Sequence, residues 1–292
     1  MSPVLSQEQT DTLVASVTEQ ITLDTFDPSN AEVMRQLVEG LGDTRGMMRL
    51  RIAETLGEIG EPAVPFLCDG LATHENPVVR RAVAKTLTLI ADPSTVPNLL
   101  HALLNDEDTV VKGSSVGAMA RIGEPAVQAL LQILAAPDRP ESMKGHAAWA
   151  LAFMGSEAKD LVFKELNSAS PTVRAAVVGV VSKVAQEEHD EEAYGLLIQT
   201  LGDDDVNVRS EAAAALGNAA YAPAGPTFLK LLTHDHVETR KSAALGLMKI
   251  GDASAIAALK EALAQESEDS IKPIYTLAIS QLERQSADDD WD

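Results

Sequence analysis

The hydrophobic and polar positions of the chain follow one pattern that recurs eight times. Each copy contains a basic anchor residue, and the anchors follow one another every 30 to 35 residues: Arg49, Arg80, Lys112, Lys144, Arg174, Arg209, Arg240 and Lys272. Small or β-branched residues stand four positions after each anchor, and apolar residues stand seven and ten positions after it. Offsets 0, 3, 4, 7, 10 and 11 share one helical face, so the pattern predicts an amphipathic helix at every anchor.

A further helix is predicted before each anchor, as in the segments EPAVPFLCDGL and DPSTVPNLLHALL. One such helix pair does not bury its apolar face alone, whereas stacked pairs close a continuous core. The sequence therefore predicts an all-α fold, a right-handed αα-superhelical solenoid of about eight short repeats. The predicted divisions are a capping helix with its linker (residues 1–30), the repeats (residues 31–284) and an acidic disordered tail (residues 285–292).

An acidic residue stands six positions before several anchors, at Asp43, Asp106, Asp138, Asp203 and Glu266. A carboxylate in this turn is placed to cap the following helix and to meet the basic anchor, so we interpret these residues as structural. His74 and His234 occupy the same turn position, which favours a turn role over metal binding.

Composition narrows the classes of function. Hydrophobic residues make up 45% of the 292 positions, which argues against global disorder. The net charge of −21 repels phosphate backbones and argues against nucleic acid as a partner. Cys68 is the only cysteine, and no apolar run approaches the ~18 residues of a membrane span. We expect no membrane insertion and a reducing, cytoplasmic location.

The helix pairs resemble HEAT-like repeats, and their short form is similar to that of the cyanobacterial E/F-type phycobilin lyases and their phycobilisome-associated relatives. The segments that carry the likeness are NVRSEAAAALGNA and MKGHAAWALAFMG, and it covers about residues 31–284. The resemblance implies a protein that holds an open-chain tetrapyrrole and a phycobiliprotein subunit together. In such lyases the nucleophile is a cysteine of the acceptor subunit, so no catalytic triad is expected in this chain.

The fourth repeat departs from the pattern at offsets 2, 5 and 9, which point away from the core seam. His146, Trp149 and Phe153 stand there, in a chain with only 3% aromatic residues. The neighbouring repeats supply small residues and cations at the same offsets: Gly117, Gly179, Arg121 and Lys183. An aromatic surface with open sides and two cations suits a flat conjugated ligand carrying two propionates. The same residues also suit a protein-binding hot spot, or core packing of Trp149, and the sequence leaves all three interpretations open.

Two functions follow. The first is a phycobilin lyase or bilin chaperone, with phycobilin as a transient ligand and no permanent cofactor. The alternative is a non-catalytic scaffold in phycobilisome assembly or turnover, or in another assembly pathway. Either would bind a phycobiliprotein subunit or other protein on the concave face, with a second HEAT-like chain as a further partner. The expected location is the cytoplasm, peripheral to thylakoid-attached phycobilisomes.

Overall fold

The computed structural model of the protein describes the backbone of residues 5–289 and the side chains of residues 5–286. Within residues 5–289 no β-strand occurs. The α-helices are α1 (Gln7–Thr22), α2 (Ala31–Gly40), α3 (Gly46–Ile59), α4 (Val64–Thr73), α5 (Pro77–Ile90), α6 (Val96–Asn105), α7 (Thr109–Ile122), α8 (Glu124–Ala135), α9 (Glu141–Met154), α10 (Lys159–Val162), α11 (Pro171–Glu188), α12 (Glu191–Thr200), α13 (Val206–Asn218), α14 (Gly225–Leu231), α15 (Val237–Ile250), α16 (Ile256–Gln265) and α17 (Lys272–Asp289).

Each anchor lies in the second helix of a pair, so the eight repeats are confirmed. These second helices are α3, α5, α7, α9, α11, α13, α15 and α17. Second helices pack against second helices, as α3, α5 and α7 do in order. The first helices α2, α4 and α6 likewise pack against one another in order, as a separate layer. Between the two layers lie the predicted core residues, and Leu56 and Leu87 at offset 7 are fully buried. The chain is an all-α solenoid.

The described chain divides into two compact units. The first comprises Met1–Ile133 and Arg139–Ala150, and the second comprises Leu134–Asp138 and Leu151–Asp292. Helices α8 and α9 begin in the first unit and end in the second.

Helix α1 is tied to the first repeat. Ser6 and Gln9 form a capping box at its start, and Val14 and Val17 are buried. The guanidinium of Arg45 contacts a carboxylate oxygen of Asp11 on α1 at 2.7 Å and one of Asp43 in the first intra-repeat turn at 2.8 Å. An exposed ion pair alone contributes little, so burial of the valines is the larger stabilising contribution here.

The repeat is distorted in the second unit. The first helix of the fifth repeat is reduced to α10, flanked by 3-10 turns at Gly155–Ala158 and Phe163–Asn167. Helix α11 has 18 residues where α3 has 14, which accounts for the long spacing between Arg174 and Arg209. At the other end, α17 continues to Asp289, so the segment predicted as a disordered tail from residue 285 is helical up to that point. Residues 290–292 lie outside the described residues.

Three acidic residues of the intra-repeat turns, Asp106, Asp203 and Glu266, are structural, but their predicted partners, the anchors of their own repeats, were wrong. Asp203 accepts two hydrogen bonds from Arg174, at 2.8 and 2.7 Å, and Arg174 is the anchor of the preceding repeat. The anchor of its own repeat, Arg209, donates instead to the Asp203 backbone carbonyl at 2.6 Å. The helix cap is also displaced, because Asp205 rather than Asp203 accepts from the first N–H groups of α13. At this junction stacking places the turn beside the preceding anchor, so the ion pair joins successive repeats.

The same bidentate pairing recurs at two other junctions. Arg80 binds Asp106, and Arg240 binds Glu266 with distances of 2.8 and 2.7 Å. The hydrogen bonds from Arg240 lower the pKa of Glu266 from 4.5 to about 2. Both side chains are largely buried, so loss of one partner would leave the other charge uncompensated.

Candidate ligand-binding site

Helix α9 carries the three side chains that the sequence singled out. His146, Trp149 and Phe153 are spaced three and four residues apart, so they lie on one face of the helix. All three are exposed, and 52% of Trp149 and 52% of Phe153 is accessible. The opposite face is buried, with Ala147 and Leu151 fully excluded from solvent. Trp149 is therefore not a core residue, which argues against the packing interpretation.

The first unit, which contains Trp149, also contains three helical glycines with open surface above them. A Cβ atom added to Gly113 or Gly117 on α7, or to Gly145 on α9, would meet no heavy atom within 4 Å. At Gly246 on α15, by contrast, a Cβ atom would come within 2.6 Å of the Phe228 ring. Glycine within a helix costs about 0.5–1 kcal/mol relative to alanine. Close packing explains Gly246 and does not explain the three glycines of α7 and α9.

The two cationic residues that the sequence predicted, Arg121 and Lys183, differ in their contacts. Arg121 lies in the last turn of α7, is exposed, and forms no ion pair within the part of the chain that the structure describes. Lys183 on α11 places its Nζ atom 5.5 Å from the centre of the Phe153 ring and donates to the Phe153 carbonyl at 3.3 Å. The glycine at offset 5 of the same helix, Gly179, also has no neighbour within 4 Å of an added Cβ.

The seven predicted residues fall into two groups. Gly117, Arg121, His146 and Trp149 belong to the first unit, and Phe153, Gly179 and Lys183 belong to the second. In the second group, the structure brings Lys183 and Phe153 into direct contact.

Two further glycines of the first unit with open surface, Gly113 and Gly145, were not predicted from the sequence. Gly113 and Gly145 each stand one position after a lysine anchor, Lys112 and Lys144. A comparison of this offset between repeats would therefore have identified both glycines from the sequence.

Cys68, the only cysteine of the sequence, is half-buried on α4. Burial, with a smaller contribution from Asp92, raises the pKa of its thiol. A raised pKa keeps the thiol protonated at neutral pH, and the thiolate is the nucleophilic form. The structure therefore does not favour Cys68 as a covalent carrier.

The histidines of the turns act as backbone acceptors. His74 Nδ1 accepts from the Asn76 N–H at 3.0 Å, and His234 Nδ1 accepts from the His236 N–H at 2.9 Å. In the turn before α13, Asp203 Oδ1 accepts from the Asp205 N–H in the same way, at 2.8 Å. No group of three or more His, Cys, Asp or Glu residues within residues 5–289 is arranged to hold a metal ion.

A sequence profile of HEAT repeats matches residues 64–151 and 194–280, more than half of the chain. The chain belongs to the HEAT-repeat family. This HEAT-repeat protein is 38% identical over 279 residues to the bilin biosynthesis protein MpeU of Synechococcus sp. (strain WH8020), and the match covers 95% of this chain and 94% of MpeU. The resemblance expected from the sequence is thereby confirmed at the level of the family.

Solved structures show the same architecture. Importin beta matches this HEAT-repeat protein with a TM-score of 0.50 at 14% identity, covering 96% of this chain and 43% of importin beta. The complex of CpcE and CpcF of phycocyanin lyase from Nostoc sp. PCC7120 matches with a TM-score of 0.34 at 18% identity, covering 85% of this chain and 94% of that one. The importin beta match supports the solenoid fold alone. Within residues 5–289, no helix is both long and apolar enough to cross a bilayer.

Proposed function

We propose that this HEAT-repeat protein binds an open-chain tetrapyrrole and presents it to a phycobiliprotein subunit, as a lyase or as a bilin chaperone. The observation that carries the proposal is the exposed Trp149 on α9. Packing does not require the glycine at Gly145 on the same helix, or at Gly117, which holds the same offset as Trp149 in the preceding repeat. The identity to MpeU, a protein named for bilin biosynthesis, gives the class of ligand.

The first group of residues suits each part of such a ligand. The indole of Trp149 offers a flat apolar surface on which a conjugated pyrrole ring can stack. An open surface at Gly113 and Gly117 lets the ring approach the helix backbone. Arg121 is free to pair with a propionate, because a guanidinium binds a carboxylate through two parallel hydrogen bonds. His146 lies one turn from Trp149 and supplies a hydrogen-bonding group for a pyrrole or lactam.

Phe153, Gly179 and Lys183, the second group, are proposed to bind a propionate. This part of the proposal rests on the contacts among these residues themselves. Lys183 stands over the Phe153 ring and adjoins Glu187, whose carboxylate is 3.9 Å from the lysine nitrogen. A propionate that displaced Glu187 would gain an ammonium partner already positioned at an aromatic face. The open surface at Gly179 leaves space for it.

No nucleophile of this chain is needed for the proposed reaction. In the proposal, the thiol of a cysteine of the acceptor subunit adds across a carbon–carbon double bond of the bilin: C–S and C–H bonds form, the S–H bond and the π bond are consumed, and no group leaves. The chain contributes binding and orientation. The raised pKa of Cys68 agrees with this division of roles.

The test is an absorbance titration of the purified protein with phycocyanobilin and phycoerythrobilin, with Trp149→Ala in parallel. We expect a saturable red shift with the wild-type protein and its loss in the variant. Trp149→Phe serves as the matched control, which should retain part of the shift because an aromatic ring remains at the exposed position. Unchanged wild-type spectra with both bilins would refute bilin binding and leave the scaffold function.

A further inference from the structure

Three of the anchor arginines hold a carboxylate of the following repeat in one arrangement. Their Nε and Nη2 atoms donate to the two carboxylate oxygens, and Nη1 donates to a backbone carbonyl of the turn before the anchor helix. The carboxylate stands six positions before the next anchor, and the pairs are Arg80 with Asp106, Arg174 with Asp203, and Arg240 with Glu266. The edge formed by Nε and Nη2 of an anchor guanidinium is therefore a carboxylate site that the next repeat fills.

Arg209 is an anchor of the same kind, but no carboxylate occupies this edge. His234 stands six positions before the next anchor, so the turn of the seventh repeat supplies no acid there. Nη1 donates to the Asp203 and Asp204 carbonyls at 2.6 and 3.0 Å, and Nε donates to the Thr239 hydroxyl at 2.9 Å. Within residues 5–286, Nη2 has no acceptor and the guanidinium forms no ion pair.

Burial makes the unpaired charge of Arg209 unfavourable, because the residue is only 6% exposed. A charged group that leaves water without a counter-ion is destabilised, so this guanidinium favours an anion from outside the chain. The other histidine at this offset, His74, has its Nε2 atom 3.3 Å from a carboxylate oxygen of Glu39, and the preceding anchor, Arg49, is only half-buried. Arg209 lacks both of these compensations.

An open cavity of about 490 Å³ lies beside Arg209, at the turns of the sixth and seventh repeats. This volume is in the range of small-molecule sites. His234 lines the same cavity, and its Nδ1 atom accepts from the His236 N–H at 2.9 Å. Burial, and then the charge of Arg209, lower the pKa of His234, so the ring is neutral at pH 7 and has its proton on Nε2. Two N–H groups of the lining residues, Arg209 Nη2 and His234 Nε2, therefore have no acceptor within residues 5–286.

Acidic side chains also lie around the cavity, and they do not exclude a carboxylate ligand. Asp203 is already bound to Arg174, and Asp204 and Asp235 are exposed. The pair of Asp203 with Arg174 forms beside the same turn acids. The pKa of Asp203 is nevertheless lowered, chiefly by the hydrogen bonds from Arg174, with a smaller contribution from the charge of Arg209. At this turn, hydrogen bonds from a guanidinium thus outweigh repulsion from the neighbouring acids.

We propose that this cavity binds a small carboxylate, which accepts hydrogen bonds from Arg209 Nη2 and His234 Nε2. The ligand lies on the side of the guanidinium that a turn carboxylate occupies at the three other junctions. Its hydrogen bond from Arg209 is charge-assisted and therefore stronger than one between neutral groups. By contacting residues of both turns, the ligand joins the sixth repeat to the seventh. No residue of this cavity belongs to either group proposed for the bilin, so the inference is independent of that function.

The test is thermal unfolding of the full chain at pH 7 in increasing succinate, with sodium chloride at equal ionic strength as the reference. We expect a saturable rise of the unfolding temperature in succinate, by about 2–4 °C at roughly five times the dissociation constant. The variant His234→Asp provides a carboxylate within the chain at the offset of Asp203, whose Oδ1 atom accepts from the N–H two residues on. Without succinate this variant should unfold at a higher temperature than the wild type. It should need at least about tenfold more succinate for the same rise, because its own carboxylate competes for Arg209.

His234→Asn is the matched control, because its amide oxygen can keep the turn hydrogen bond and adds no charge. It should unfold like the wild type and still respond to succinate, since Arg209 remains unpaired. A wild-type response no larger in succinate than in chloride would overturn the inference, and so would an equal response of His234→Asp. Stabilisation by phosphate as strong as by succinate would overturn the assignment of a carboxylate ligand.

Discussion

The substitution Gly117→Ala should stabilise the protein and weaken bilin binding. Gly117 lies in the interior of α7, where alanine is favoured over glycine by about 0.8–1 kcal/mol. The added Cβ atom meets nothing within 4 Å, so no steric cost offsets this gain. For a chain of this size, about 1 kcal/mol raises the unfolding temperature by about 2–4 °C.

The effect on binding has the opposite sign. If the bilin ring occupies the surface left open by the glycine, the new methyl group overlaps it at a cost of about 1–3 kcal/mol, as in an overpacked contact. The bilin dissociation constant should then rise about fivefold to a hundredfold, since 1.4 kcal/mol corresponds to a factor of about ten.

Thermal unfolding and bilin absorbance titration on the same samples measure both effects. Gly195→Ala is the matched control, because Gly195 is also helical and open but lies on α12 in the layer of first helices. It should raise the unfolding temperature similarly and leave bilin affinity unchanged. A Gly117→Ala variant that is more stable and still binds bilin with wild-type affinity would refute this account of the glycines.

Other substitutions test the packing and the ion pairs between repeats. Gly246→Ala should destabilise the protein by about 1–3 kcal/mol, because the new Cβ atom would lie 2.6 Å from the buried Phe228 ring; a raised urea midpoint would contradict this. Glu266→Ala should cost about 3 kcal/mol at pH 7, because it leaves Arg240 largely buried without its carboxylate. The pKa of Glu266 is lowered from 4.5 to about 2, so its contribution is present above pH 4.5 and is lost as the pH falls towards 2. Urea unfolding across this range should therefore show a smaller loss of stability in Glu266→Ala than in the wild type, and equal losses would exclude the pair as the cause.

The fold was predictable because one helical pattern recurs eight times in register. The core offsets also set the rotation of each second helix, which is why the outward position of Trp149 could be predicted. The partner of Asp203 could not be predicted in the same way. In a repeating sequence, pairing within a repeat and pairing with the preceding repeat have similar patterns, and only stacking decides that Asp203 meets Arg174.

Other features of the structure could not be predicted from periodicity. The broken first helix around α10 has no comparable signal, since its apolar residues remain at helical spacing. The half-burial of Cys68 depends on how its neighbours pack, which periodicity alone does not specify.

The most direct test of the central claim is the fluorescence of Trp149 during a bilin titration. Trp149 and Trp291 are the two tryptophans of the sequence, so Trp291→Phe leaves Trp149 as the only emitter. The account predicts saturable quenching of its emission at the bilin concentration that gives the absorbance shift, with both changes moved to higher concentration by Gly117→Ala. An absorbance shift that leaves the Trp149 emission unchanged would contradict the account, because the bilin would then be bound elsewhere.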